Sequence, residues 1–374
     1  MKKIELIDFL KGYSIFTIVA FHYFQILILP EPFNKFICFG GTGVHLFILL
    51  SGLGLYLSYL NQPENYTSYL KKRISKVYVP YIIAVLITVA ISIVIPIYEI
   101  SLYSIFGHIF LYKMFDENII GAYGYPLWFI SLIFQFYIVF YIIIYFKKRS
   151  TPIFFVLICL CISICWAFLV MLLGKELVRV WNSFFLQYLW EFAIGMVIAS
   201  LIHESYKIKF KIKSHYILLI AVICSAIYGY LAILPGGIGK LFNDVPALIG
   251  YSFLGIWLYL LKINLVNKFF LFTGKISYFL YLVHILVFSI FSVFFNDFPP
   301  FIIFIVALAA SYFGAIYYQL LLNPVYKLLN SGSIRKGLSH IKTPAFLFSI
   351  SKSTYHRIIR FEMLRYYPKN KPAS

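Results

Sequence analysis

Charge is scarce in this chain. Of its 374 residues 12% are Asp, Glu, Lys or Arg, while 62% are hydrophobic. That is too little charge to cover a water-soluble globule, so the chain reads as an integral membrane protein. Acidic side chains are scarcest, 13 against 32 Lys and Arg, for a net charge of +19. In a soluble protein this excess would point to nucleic acid. In a membrane chain Lys and Arg collect in cytoplasmic loops, so the sign reports topology and no nucleic-acid partner is expected. The five cysteines exclude a disulfide framework and a zinc site: Cys159, Cys161, Cys165 and Cys224 lie inside apolar runs and Cys38 near a loop, without ligand spacing. No metal is expected. Phosphate-loop, nucleophile-elbow, zinc-helix and dinucleotide motifs are all missing, and Lys275 follows Gly274 without the upstream glycine that a phosphate loop needs. No repeat of clear period is present. The opening Met-Lys-Lys and its apolar run lack a nearby small-residue cleavage site, so the run is expected to be retained as a first span.

What the chain has is length of apolar sequence. A span needs about twenty mostly apolar residues, and ten runs qualify: 7–29, 43–60, 78–96, 126–146, 152–173, 183–202, 215–234, 245–262, 276–295 and 300–322. Unbroken runs of this length fit helices and not a barrel. With a cytoplasmic N-terminus, all the Lys and Arg fall on the inside except Lys35, Lys113, Lys175, Arg179 and Lys240. The expectation is an all-α polytopic bundle of about ten transmembrane helices in the cell membrane, both termini cytoplasmic, with residues 1–325 as the membrane domain. Residues 326–374 form a basic tail. In it, 355–367 alternates Ile358, Ile359, Phe361, Met363 and Leu364 with Arg357, Arg360 and Arg365, the pattern of an amphipathic helix on an anionic lipid surface. The longest outside segment, 97–125, carries Leu102, Tyr103, Phe106, Ile109 and Phe110 as a short interfacial helix over an outward-facing site.

Ionisable groups inside such runs are costly and therefore informative. In the first run Asp8, Lys11, Ile15 and His22 share one face at 3.6 residues per turn, with His22 about 21 Å along the axis from Asp8. A neutral histidine hydrogen-bonded between helices and a catalytic group are both consistent with His22 taken alone. The ninth run repeats the pattern with Ser277, Tyr281 and His284, so two runs each deliver a histidine to the interior. The fourth run aligns Trp128, Ser131 and Gln135. Glu191 in the sixth run is a carboxylate near mid-membrane whose partner is not readable from spacing. His45, close to the outer surface, and the glycines at 40, 41, 43, 52 and 54 are expected to serve packing. In the inside segment 69–80, Lys72, Arg73 and Lys76 precede the third run. A positive-inside stop and a phosphate-binding patch both fit them, since arginine forks match phosphate geometry.

Taken in order, these residues resemble the acyltransferase-3 family of membrane proteins. The resemblance rests on Ile7-Asp8-Phe9-Leu10-Lys11-Gly12 with His22, then Gly43-Val44-His45-Leu46-Phe47 to Leu50-Ser51-Gly52, and Lys72-Arg73-Ile74 to Tyr78-Val79-Pro80. It continues with Leu127-Trp128-Phe129 to Gln135-Phe136-Tyr137 and Ile276-Ser277-Tyr278 to Tyr281-Leu282-Val283-His284, covering about residues 5–322. The resemblance implies a ten-helix enzyme that takes an acyl group, usually acetyl, from acyl coenzyme A and places it on a hydroxyl of a cell-envelope polysaccharide or lipid-linked sugar. The implied catalytic set is His22, with Asp8 and His284. Arg73 is implicated in donor handling, with Lys11, Lys72 and Lys76 beside it. Trp128, Ser131, Gln135, Glu191, Ser277 and Tyr281 are candidates for orienting groups or acceptor contacts. No bound cofactor is implied; acetyl-CoA or another acyl-CoA is a substrate, and other envelope-biosynthesis proteins are expected partners in a bacterial plasma membrane.

The chain departs from the family where Ile133 stands in place of a fourth-span glutamate, and where Lys76 replaces a common arginine. The fused hydrolase-like domain of some members is not seen, so this domain or a partner completes the transfer. The rival expectation is an exporter or flippase-like transporter of a polysaccharide or lipid-linked sugar, with His22, Glu191 and His284 as proton-relay or binding groups.

Overall fold

Uninterrupted apolar sequence folds as helix, and every regular element among the described residues is one. The computed structural model describes residues 4–25, 38–204, 213–233, 238–295 and 298–330; the expected amphipathic helix at 355–367 lies outside them. Residues 6–323 form one compact unit. Residues 1–5 and 324–374 form a second, of which the described part is the first residues of α1 and the last of α12.

The helices are α1 Glu5–Phe24, α2 Gly43–Asn61, α3 Tyr66–Arg73, α4 Val79–Val94, α5 Leu102–Ile109, α6 Trp128–Arg149, α7 Pro152–Leu172, α8 Leu189–His203, α9 Ser214–Ile233, α10 Asp244–Leu260, α11 Asn264–Phe294 and α12 Pro300–Asn330. Their starts are chemically marked. Asn65 caps α3 by accepting from the Ser68 amide at 2.8 Å, and Thr151 accepts from Phe154 ahead of Pro152 at the start of α7. Both satisfy donors that a helix start leaves open.

Seven helices, formed around 40–61, 66–94, 125–149, 152–172, 214–232, 264–294 and 301–326, are long and apolar enough to cross a membrane. The other three expected spans are also helical: α8 and α10 are shorter, and α1 carries Glu5, Asp8 and Lys11. Large apolar side chains such as Ile138, Ile142 and Phe146 on α6, and Ile153, Leu157 and Leu172 on α7, are exposed, an outer surface suited to lipid and not to water. The chain is a multi-pass membrane protein.

Two glycine crossings set the geometry of the interior. A Cβ on Gly12 would stand 1.9 Å from the Phe270 carbonyl oxygen, and one on Gly274 would stand 2.0 Å from that of Asp8. Only glycine permits such backbone contact. The contacts of α1 and α11 ascend together, Phe9 and Tyr13 with Phe270, then Tyr23 with Phe288, so the two helices run parallel. α12 closes the group, joining Ala307 and Ala315 to a core of Ile15, Val19, Tyr23, Ile276, Leu280 and Phe288. Gly52 of α2 and Gly195 of α8 make the second crossing, with Cβ positions 2.2 Å from the Phe192 oxygen and 2.0 Å from the Leu49 oxygen.

Candidate functional site

His22 and His284 each lie ten residues beyond their crossing glycine, Gly12 and Gly274. In parallel helices that rise equally, about 15 Å over ten residues, the two side chains reach the same level. Their ring centroids are 5.6 Å apart. His284 is fully buried and its Nδ1–H donates to the Tyr281 carbonyl at 2.8 Å, which fixes the tautomer and leaves Nε2 as an acceptor. That Nε2 is buried and has no hydrogen-bond partner. A buried unsatisfied polar atom costs about 1–3 kcal/mol, so a pair kept for helix packing alone would be expected to close its hydrogen bonds. His22 is half-buried, and the Gln25 side chain reaches it.

His22 opens into a cavity of about 780 Å³. Trp128, Ser277 and Tyr281 line the same cavity, as do Val77 and Tyr137 toward the basic turn and Arg179, Asn182, His45 and Asp244 elsewhere on the wall. Tyr281 donates its hydroxyl to the Pro126 carbonyl at 2.8 Å, and Ser277 donates to the Gly274 carbonyl at 3.0 Å. Arg179 lies over the Trp128 ring at 4.7 Å, hydrogen-bonds the Tyr125 hydroxyl and donates from Nη1 to Ser183 Oγ at 3.0 Å.

The remaining expected residues do not line the cavity. Asp8 and Lys11 share the His22 face but sit at the crossing end of α1, where the Asp8 carbonyl meets Gly274. Gln135 accepts from the Phe185 amide at 3.2 Å and points its amide at Met114 Sδ, bracing two loops. Ser131 is buried beside it in sequence with no partner for Oγ. Lys72 is ion-paired to Glu64. Arg73 faces the Tyr69 ring at 5.4 Å, and its Nε is buried without a partner. The helix then widens into a π turn, Ile74–Tyr78, that contains Lys76 and brings Val77 to the cavity. Such turns recur at functional sites.

Three groups that the spacing did not bring together form a second cluster, which reaches the cavity through His45 and Asp244. His45 Nδ1 donates to Glu191 Oε1 at 2.6 Å, and its Nε2 lies 3.7 Å from Asp244 Oδ1. Gln187 Nε2 donates to Asp244 Oδ2 at 2.6 Å. The Gly52–Gly195 crossing draws α2 against α8 and so supplies Glu191 with the partner that its burial demands. The signal for it was the mid-run carboxylate; its partner stands 146 positions away.

A loop between α5 and α6 delivers Tyr125 and Pro126 to the cavity, next to Trp128 at the start of α6. Tyr123 and Gly124 hold positive φ of 51° and 117° there. Lys113, fully buried, donates to the Ala122 and Gly124 carbonyls at 2.6 and 2.7 Å. His108 donates from Nε2 to Ala122 at 3.0 Å and accepts from the Tyr81 hydroxyl at 2.7 Å. Burial pushes Lys113 well below the usual lysine range, and burial followed by the Lys113 charge lowers His108 to about 3. A histidine that is neutral when folded and titrates near 6.5 when unfolded contributes stability above pH 6.5 that is lost as pH falls toward its folded value. The thermal midpoint of the purified protein is therefore expected to fall between pH 6.5 and 4, by up to about 1.4 kcal/mol of stability per pH unit. In His108→Gln that part of the slope should disappear.

A family model for an acyltransferase domain matches residues 4–320. No curated protein and no solved structure matches the chain.

Proposed function

Because the chain belongs to the acyltransferase-3 family, we propose that it is an O-acyltransferase moving an acyl group, acetyl first among candidates, from acyl coenzyme A to a hydroxyl of a cell-envelope polysaccharide or lipid-linked sugar. The observation that carries this reading is the pair of imidazoles, His22 half-buried on the wall of a large cavity and His284 fully buried beside it, with ring centroids 5.6 Å apart. His22 takes the proton of the acceptor hydroxyl as its oxygen attacks the thioester carbonyl. The tetrahedral intermediate then expels the thiolate of coenzyme A, which receives that proton back. His284, its tautomer set by the Tyr281 carbonyl, keeps an unpaired Nε2 near the His22 ring that can accept from His22 as it takes up the proton. An acyl group passing through a His22 adduct obeys the same balance.

In this reading α1, α2, α4 and α6 to α12 all cross a bacterial plasma membrane, with both termini cytoplasmic. The phosphates of the donor rest at the basic turn, where Arg73 is the leading contact, with Lys72 and Lys76 beside it; Lys11 lies on the same side of the membrane. The pantetheine arm then follows the cavity from Val77 to His22. Replacing Arg73 with Ala removes one charged contact to phosphate, about 1.5–3 kcal/mol, so the KM for acetyl-CoA should rise about ten- to a hundredfold with little change in kcat. Steady-state kinetics at saturating acceptor checks this. The reading as a whole is tested by mass spectrometry of envelope glycans from cells with and without the protein. A gain of one acyl unit per modified sugar is expected; identical glycans would reject it.

A further inference from the structure

Resting on that acyl-transfer reading, we infer that the cavity wall carrying His45 and Asp244, held in place by the buried Glu191 and Gln187, is the acceptor subsite, and that it takes a neutral, hydroxyl-rich sugar. The transfer itself is proton-neutral, since the proton leaves a hydroxyl and arrives on a thiol. His22 closes that balance without a second set of ionisable groups, so the cluster is left with a different task. Its geometry fits recognition of hydroxyls. His45 bridges the two carboxylates, at 2.6 Å from Glu191 and 3.7 Å from Asp244. Asp244 and His45 line the cavity, as does Glu176, whose Oε2 has no hydrogen-bond partner, while Glu191 is completely buried off the cavity and holds His45. A carboxylate oxygen accepts strongly and cannot donate, so its natural complement is an O–H.

The charge on the wall selects among acceptors. Two carboxylates, Asp244 and Glu176, line the cavity, and Glu191 lies buried against His45. Against them stand His45, engaged by two carboxylates, and Arg179, whose guanidinium is held by the Tyr125 and Ser183 hydroxyls between two aromatic rings. A uronate or phosphorylated sugar would add a like charge at low dielectric, whereas a neutral sugar could donate to Glu176 Oε2, now unpaired.

The test uses the full chain in lipid nanodiscs, with acetyl-CoA and methyl glycosides of neutral hexoses or of the matching uronic acids. The wild type should accept neutral glycosides with a KM at least about tenfold below that of the uronates. Glu191→Gln and, separately, Asp244→Asn should each raise the KM for the neutral glycoside about tenfold or more, leaving the KM for acetyl-CoA within about twofold. Calorimetric binding of the neutral glycoside without acetyl-CoA is measured in parallel, on protein that elutes as a single species. Loss of that binding in either variant supports the subsite even where the wild type releases no thiol, an outcome that would reject acyl transfer alone. Unchanged acceptor KM and binding in a folded variant, or a preference for uronates, would overturn the subsite and leave the transfer reading standing.

Discussion

Replacing His22 with Ala should abolish acyl transfer while leaving the protein inserted and folded. General-base catalysis contributes about 10² to 10⁴-fold, so turnover is expected to fall by that factor, with the KM for acetyl-CoA little changed because the site proposed for the donor's phosphates, at the basic turn, is apart from His22. The size of the effect separates the two readings of an intramembrane histidine. Loss of one interhelical hydrogen bond would cost about 0.6–2 kcal/mol of stability and would show as a lower melting temperature. Loss of the base shows as lost turnover at unchanged melting temperature. His284→Gln keeps a polar side chain but not an imidazole Nε2, and as a positioning change it should cost less than His22→Ala. It should also alter the pH profile of kcat, which a packing role would not move.

The second large effect is expected far from the cavity, at Gly12 and Gly274. A methyl group on either would lie about 2 Å from a carbonyl oxygen of the facing helix, well inside van der Waals contact, so α1 and α11 must separate by more than about 1 Å. A displacement of that size at a catalytic group costs about 10²-fold in rate. Gly12→Ala or Gly274→Ala should therefore reduce kcat about a hundredfold by moving His22 and His284 apart, although neither glycine touches the cavity. Gly54→Ala serves as the comparison. Nothing lies within 4 Å of a Cβ there, and alanine is the better helix former, so activity should be retained. Parallel assays of the three variants, with melting temperatures, check the argument. Equal activity in all three would mean that the crossing does not set the histidine pair.

Much of the fold was legible because a lipid-facing helix must be apolar over its whole length, and each of the ten runs contains a helix among the described residues. Where the runs are short, as for α8 and α10, the chain turns through irregular segments such as 183–188 before the helix begins, and hydropathy does not distinguish apolar turn from apolar helix. The two histidines were legible as members of inward faces at helical spacing. Their pairing was not, since periodicity describes one helix at a time and the register between α1 and α11 is set by Gly12 against Gly274. Shared faces also misled in one respect. Asp8, Lys11 and His22 lie on one stripe, but the stripe is about 21 Å long and only its His22 end meets the cavity. Trp128, Ser131 and Gln135 likewise diverge, with Trp128 on the cavity and Gln135 bracing a loop. His45, assigned to packing from its place close to the outer surface, pairs with Glu191 because the Gly52–Gly195 crossing places α2 and α8 backbone to backbone, a long-range fact absent from either segment alone.

The central claim is that the His22 cavity transfers an acyl group from a thioester to a hydroxyl, and thiol release measures this most directly. Purified protein in lipid nanodiscs, given acetyl-CoA, should release free coenzyme A thiol in step with acetylation of an added sugar acceptor, and His22→Ala should suppress both together. Thiol release that is absent from the wild type, or that continues undiminished in a folded His22→Ala protein, would contradict the account.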